Sequence, residues 1–136
     1  MTKDIMPNSA GSFIRIAVVD DDRRLLEVFS SLMKRSYYHT HFFLDGAKAL
    51  EKILAVKGHY NLVISDICMP GMDGIEFAKR IRAVEPDLPI ILMTGDVREE
   101  YRSAAAQINR VVFLEKPFPL ESTLIDFIPK ILRGEF

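Results

Sequence analysis

The feature that most constrains this chain is a repeated change of hydrophobic period. Short runs that are apolar on consecutive residues alternate with longer stretches in which apolar residues recur at helical spacing. Ile14 to Val19 is a β-branched apolar run, and Leu25, Leu26, Phe29, Leu32 and Met33 then follow a helical period. His39 to Leu44 reads as a strand, and Ala47, Leu50 and Leu54 restore the helix. Leu62 to Ile64 and Pro89 to Met93 are further buried-strand candidates, separated by a helical segment opening at Gly74 with Ile75, Ala78 and Ile81. Val97 to Gln107 reads as helix, Val111 to Leu114 as strand, and Leu120 to Leu132 as an apolar helix carrying Leu124, Phe127, Ile128, Ile131 and Leu132. Strands apolar on both faces, each followed by a helix, imply a parallel sheet covered on both sides. With right-handed crossovers, five such units make a doubly wound (βα)5 α/β sandwich.

The chain has 136 residues, the size of one domain. A formal net charge of −1 excludes a generally basic nucleic-acid binder. No apolar run reaches the ~18–20 residues that span a bilayer, and the amino terminus lacks the h-region of a secretory signal. One cysteine, Cys68, precludes an internal disulfide and fits a cytoplasmic location. Residues 1–12, with Pro7, Asn8, Gly11 and Ser12, read as a flexible lead-in.

Doubly wound sheets place their chemistry beyond the carboxyl ends of the strands. Asp20, Asp21 and Asp22 follow the first apolar run, Asp66 the third, Thr94 the fourth, and Lys116 with Pro117 the fifth. Gathered carboxylates repel one another unless a cation neutralises them. An oxygen-rich set with no His/Cys cluster suits magnesium rather than zinc. A metal ion, an ammonium and a hydroxyl around one carboxylate are what phosphoryl transfer needs, since that chemistry rests on positioning and charge stabilisation.

These stations, with the run Asp66-Ile67-Cys68-Met69-Pro70-Gly71-Met72-Asp73-Gly74, then Thr94-Gly95 and Lys116-Pro117-Phe118, resemble the receiver domain of bacterial response regulators. The resemblance covers about Ile14 to Leu132, with the domain placed at 13–133. A tail, 134–136, follows that a cloning vector could supply. The resemblance implies the flavodoxin-like strand order 2-1-3-4-5 and phosphorylation at Asp66. It implies Mg²⁺ (with Mn²⁺ able to substitute) held by Asp20, Asp21, Asp66 and the Cys68 carbonyl. It implies Thr94 and Lys116 on the phosphoryl group, a switch made of Thr94 and Phe113, and a cis Lys116-Pro117 bond. The expected partners are a sensor histidine kinase or phosphotransfer protein, docking beside Arg23 and Arg24 on the first helix. A homodimer through the face formed by the fourth helix, the fifth strand and the fifth helix is also expected, without direct nucleic-acid or membrane binding. The domain is expected to act as a switch that catalyses its own phosphorylation and dephosphorylation, rather than as an enzyme, and to control an output domain or partner. Only twenty residues follow Lys116, which leaves a stand-alone receiver or a piece of a longer protein as the two expectations.

Other readings compete at individual positions. Asp22 reads as a helix N-cap before a metal ligand, and Asp73-Gly74 with Pro70-Gly71 read as turn geometry. His39 and His41 share one strand face, which favours a solvated edge over a metal pair, and His59 reads as a surface loop residue. The run Arg98 to Arg102 reads as a solvated helix face. Cys68 and Asp96 flank the expected path of hydrolytic water and are expected to influence the phosphoryl lifetime. Asn109-Arg110 stands where the family usually has Gly-Ala. Asn109 is expected to take the left-handed turn, and Arg110 to put charge near the dimerising face. Pro129 is expected to kink or end the last helix near Ile128. Two other functions remain: a hydrolase of the haloacid-dehalogenase type, for which Asp20-x-Asp22 mimics a first motif but Arg24 does not fit, and a phosphorylation-independent adaptor.

Overall fold

The computed structural model describes residues 14–34 and 38–136, except the side chains of 124 and 125. The expected lead-in, 1–12, lies outside the described residues, as does the side chain of Leu124. Strands β1 (Ile14–Val19), β2 (Tyr38–Phe43), β3 (Leu62–Asp66), β4 (Ile90–Thr94) and β5 (Val111–Glu115) alternate with helices. All pair in parallel, in the order 2-1-3-4-5. The central strands β3 and β4 are buried along their whole length, as continuous Val/Ile/Leu runs require.

Helix α1 (Arg23–Met33) and the last helical segment cover one face of the sheet. Helices α2 (Gly46–Ala55), α3 (Gly74–Val84) and α4 (Glu99–Ala106) cover the other. On the first face, Leu26, Phe29 and Met33 meet Ile16, Val18, Ile64 and Met93 together with Ile128 and Ile131. On the second, Ile53, Phe77, Ala78 and Ile81 pack on Ala17, Val63, Ile90 and Leu92. Period-2 strands and period-3.6 helices divide the apolar residues between these two cores.

Three aspartates start helices: Asp22 accepts N–H bonds from Arg24 and Leu25, Asp45 from Lys48, and Asp73 from Glu76. Asp22 is therefore an N-cap, at a position where a carboxylate also meets the positive end of the helix dipole.

One local expectation is corrected and a second takes a definite form. Asn109 does not take the left-handed turn before β5; Arg110 does, at φ 58°. Its side chain explains the tolerance: Nε donates to the Asp87 carbonyl at 3.1 Å, and the guanidinium lies 4.6 Å from the Phe136 ring centre. Arg82 adds bonds from Nε to the Asn109 carbonyl and from Nη2 to that of Arg110, pinning the turn to α3. Arg110 is thus turned towards Asp87 and the carboxyl-terminal residues. At Pro129 the helical path continues, with its winding changed just before Ile128. The segment runs as α5 (Leu120–Ser122), a π-helical stretch (Thr123–Phe127) and α6 (Ile128–Leu132). The Ile128 N–H reaches back five residues to the Thr123 carbonyl. Pro129 has no N–H to give and its ring crowds the carbonyl four residues earlier, so the wider turn just before it accommodates both. Ile131 consequently stays in the core.

Candidate functional site

The carboxyl ends of β1, β3, β4 and β5 bring Asp20, Asp66, Thr94 and Lys116 to one edge of the sheet. Asp20 is fully buried, Asp66 and Thr94 nearly so, whereas Asp21 is exposed. The Asp20 N–H donates to the Phe43 carbonyl, which ties the end of β1 to the end of β2. Asp20 Oδ1 accepts the Asp22 N–H at 2.8 Å, so the acidic run folds back over itself before α1 begins.

One carboxylate oxygen from each of Asp20, Asp21 and Asp66 lies within 4.8 Å of the other two. Among the described residues this is the one such gathering of possible metal ligands. Lys116 Nζ bridges two of them, 3.0 Å from Asp20 Oδ2 and 3.2 Å from Asp66 Oδ1. The expected cis Lys116-Pro117 bond is present.

Burial pushes the Asp66 carboxyl up to about 6, and the charges of Asp20 and Asp21 push the same way against the pull of Lys116. Desolvation works to lower the Lys116 ammonium, but its bonds to Asp20 and Asp66 overcome that and raise it. One ammonium therefore leaves the three acids under-neutralised. A hard cation with oxygen ligands answers that deficit, and the donor set fits magnesium.

Gly74 sets the tightness of this corner. A Cβ there would collide with the Asp66 carbonyl oxygen and come within 2.7 Å of Ile67 Cα, both backbone. Its N–H donates to the Ile67 carbonyl at 2.8 Å. The glycine thus lets α3 begin in contact with the chain that carries Asp66. This goes beyond the turn role read from the sequence, where its place after a capping Asp73 was the available signal. Gly71, at φ 82°, supplies the preceding turn.

Thr94 Oγ1 accepts the Asp96 N–H at 3.0 Å and lies 3.6 Å from Cys68 Sγ. Cys68 is exposed in the loop after β3. Phe113 is half-buried on β5, with the Arg102 guanidinium 5.0 Å from its ring centre, and Arg102 also pairs with Glu115 at 2.8 Å. The charged residues of the run Arg98 to Arg102 are exposed, as expected of a solvated face, and Tyr101 alone departs from it. Its Tyr101 is half-buried against the α2/α3-side core, with its hydroxyl 3.9 Å from Cys68 Sγ.

The histidines also differ from a plain solvated edge. His41 is half-buried, with Nδ1 2.6 Å from the hydroxyl of buried Tyr60, and His39 and His59 lie 5.8 and 6.5 Å from its ring. Burial, the neighbouring imidazoles, Arg15 and Lys52 all lower the basicity of His41.

An acid-lined site at the carboxyl edge of a 2-1-3-4-5 parallel sheet defines a class: doubly wound domains built around a strand-end aspartate. Residues 16–128 match the family model of the response regulator receiver domain. The chain belongs to that family and is a receiver domain of two-component signalling. It is 32% identical over 118 residues to the response regulator receiver protein CpdR of Brucella abortus, covering 87% of this chain and 96% of that one. It is 32% identical to the two-component response regulator ARR12 of Arabidopsis thaliana across 90% of this chain but only 20% of that protein. Against the signal receiver domain of an HD domain-containing protein from Pseudomonas fluorescens, the TM-score is 0.81 at 27% identity, covering 90% and 97% of the two chains. The chain thus spans a small part of some curated relatives and nearly all of another. No helix among the described residues is long and apolar enough to cross a membrane.

Proposed function

We propose that Asp66 is the phosphoacceptor of this receiver domain. The observation that carries the reading is the under-neutralised trio Asp20, Asp21 and Asp66, bridged on one side by Lys116. Asp20, Asp21, Asp66 and the Cys68 main-chain carbonyl would hold Mg²⁺, with Mn²⁺ able to replace it. The ion would supply charge neutralisation for the carboxylates and for incoming phosphoryl oxygens. A carboxylate oxygen of Asp66 forms the new bond to phosphorus as the bond from phosphorus to the donor's imidazole nitrogen breaks. Lys116 stays beside the acceptor and balances the charge it gains, while Thr94 turns its hydroxyl to a phosphoryl oxygen. The domain performs this transfer and the later hydrolysis on itself, and so works as a switch.

The donor is a sensor histidine kinase or phosphotransfer protein. A cleft of about 300 Å³ between α1 and β2, lined by Arg23, Leu26, Glu27, Ser30, Phe42 and Leu44, offers it a mixed apolar and charged seat beside the first acid loop. Phosphorylation shifts the balance of conformations through Thr94 and Phe113 to the α4-β5-α5 face. There the domain meets a second copy, an output domain or another partner, in the cytoplasm. The domain is placed at 13–133, with 134–136 as a tail. The hydrolase alternative needs Asp20 as the nucleophile, but Asp20 Oδ2 is paired to Lys116, Oδ1 holds the Asp22 N–H, and the residue is fully buried.

Acetyl phosphate with Mg²⁺ should add one phosphoryl group to the intact protein by mass spectrometry. Chelation or Asp66→Asn should prevent it. Full labelling of Asp66→Asn would defeat the assignment.

A further inference from the structure

A closed circuit of contacts surrounds the outer side of the site. The Asp96 N–H donates to Thr94 Oγ1 at 3.0 Å. Thr94 Oγ1 lies 3.6 Å from Cys68 Sγ, and the Cys68 thiol donates to the Tyr101 hydroxyl at 3.9 Å. The Tyr101 ring carries the Arg98 guanidinium 5.0 Å from its centre. Arg98 returns to Asp96 through Nε to Oδ1 at 3.1 Å and Nη2 to Oδ2 at 2.6 Å. The circuit joins the end of β4, the loop after β3 and the first turn of α4.

The Cys68 sulfur sits between two hydroxyls, those of Thr94 and Tyr101. A hydroxyl and a thiol each have one proton to give. With the Cys68 thiol donating to Tyr101, Cys68 Sγ is left free to accept the Thr94 proton, and Thr94 Oγ1 to accept the Asp96 N–H. A phosphoryl oxygen can only accept. In that arrangement Thr94 gives up its contact with sulfur when its hydroxyl turns to the phosphoryl group. Sulfur is a weak acceptor, so the hold is small and easily reversed.

We propose that Tyr101 is a positioning residue which, through Cys68, holds the Thr94 hydroxyl away from Asp66 and passes its departure to the first turn of α4. This rests on the reading of Asp66 as phosphoacceptor and Thr94 as its hydroxyl. It adds a route to α4 that does not pass through Phe113, whose ring is held by Arg102 one residue further along the helix. Tyr101→Phe removes one oxygen while keeping the ring on which Arg98 stacks, so it separates the hydrogen bond from the packing.

The experiment measures the rate of Asp66 labelling by acetyl phosphate and Mg²⁺ in the full chain, by intact mass, for wild type, Tyr101→Phe, Cys68→Ala and the double variant. Circular dichroism confirms that each is folded. Each single change should accelerate labelling about threefold, the scale of one weak hydrogen bond. The double variant should also reach about threefold rather than about ninefold, because both changes release the same hydroxyl. Amide hydrogen exchange over Glu99–Ala106 should quicken in wild type on adding beryllofluoride and should already be quick in Tyr101→Phe. An unchanged rate in Tyr101→Phe, or multiplying effects in the double variant, overturns the proposal while leaving the phosphoacceptor intact. Absence of labelling in wild type overturns both.

Discussion

The middle of the sheet and its β5 edge are built to different standards. β3 is buried from Leu62 to Asp66 and β4 from Ile90 to Thr94, whereas β5 is half-buried through Leu114 and exposed at Glu115. The middle strands deliver Asp66 and Thr94 from a close-packed interior that resists displacement. The β5 edge carries Phe113, held from outside by an exposed arginine that also pairs with Glu115. The contrast suggests a division of labour. Chemistry that needs fixed positions sits where movement is costly, and the surface that would report it sits where a ring or an ion pair rearranges at little cost. Lys116 joins the two regions, since it leaves β5 and ends between Asp20 and Asp66.

The sharpest way to break this contrast is to disturb the middle. Gly74→Ala forces a methyl into the backbone of Asp66 and Ile67. It should cost more than about 3 kcal/mol, lowering Tm by roughly 10 °C in thermal denaturation. A loss under about 1 kcal/mol would mean that α3 is not wedged against β3 as described.

Titration tests the same region with a smaller effect. The native Asp66 carboxyl holds its proton up to about 6, against 3.8 in the unfolded chain. Between those values the native state binds more protons than the unfolded one, so stability should fall as pH rises through that window, by on the order of 2–3 kcal/mol. Asp66→Asn should flatten that slope in Tm measurements. Mg²⁺ should reverse it, with a larger gain in Tm at pH 8 than at pH 5, because only the ionised carboxylate is a good ligand. A Mg²⁺ effect independent of pH would argue that the ion binds elsewhere.

The edge should respond least. Arg102→Ala removes one exposed ion pair and one ring contact and should change stability by under about 1 kcal/mol. The same variant should alter the NMR line shape of the Phe113 ring. A loss of several kcal/mol would show that the β5 edge is as tightly built as the middle.

How much of this was legible in the sequence follows the same division. The strand runs and the acids at the strand ends were readable from the residues, and the sheet order followed from the family resemblance. A fully buried strand must be apolar on consecutive residues, and a strand-end acid stands out after such a run. The edge was harder to read. Arg110 occupies the left-handed turn because Asp87, Arg82 and Phe136 surround it, and none of these contacts is local. Pro129 carries a clear warning, but only the core around Ile128 and Ile131 explains why the helix widens instead of ending. Tyr101 was hidden within a charged run because charge patterning marks an exposed face, and its one inward residue touches a loop far away in sequence. His59 and Tyr60 likewise meet His41 only when β2 and the loop before β3 are placed side by side.

The central claim is that, of three carboxylates gathered within one site, Asp66 alone takes the phosphoryl group. Borohydride reduction of the labelled protein converts an aspartyl phosphate to homoserine, and peptide mass spectrometry then locates it. The account predicts homoserine at position 66, with Asp20 and Asp21 unchanged. Homoserine at position 20 or 21, or a stable phosphoryl group on another residue type with position 66 untouched, would contradict it.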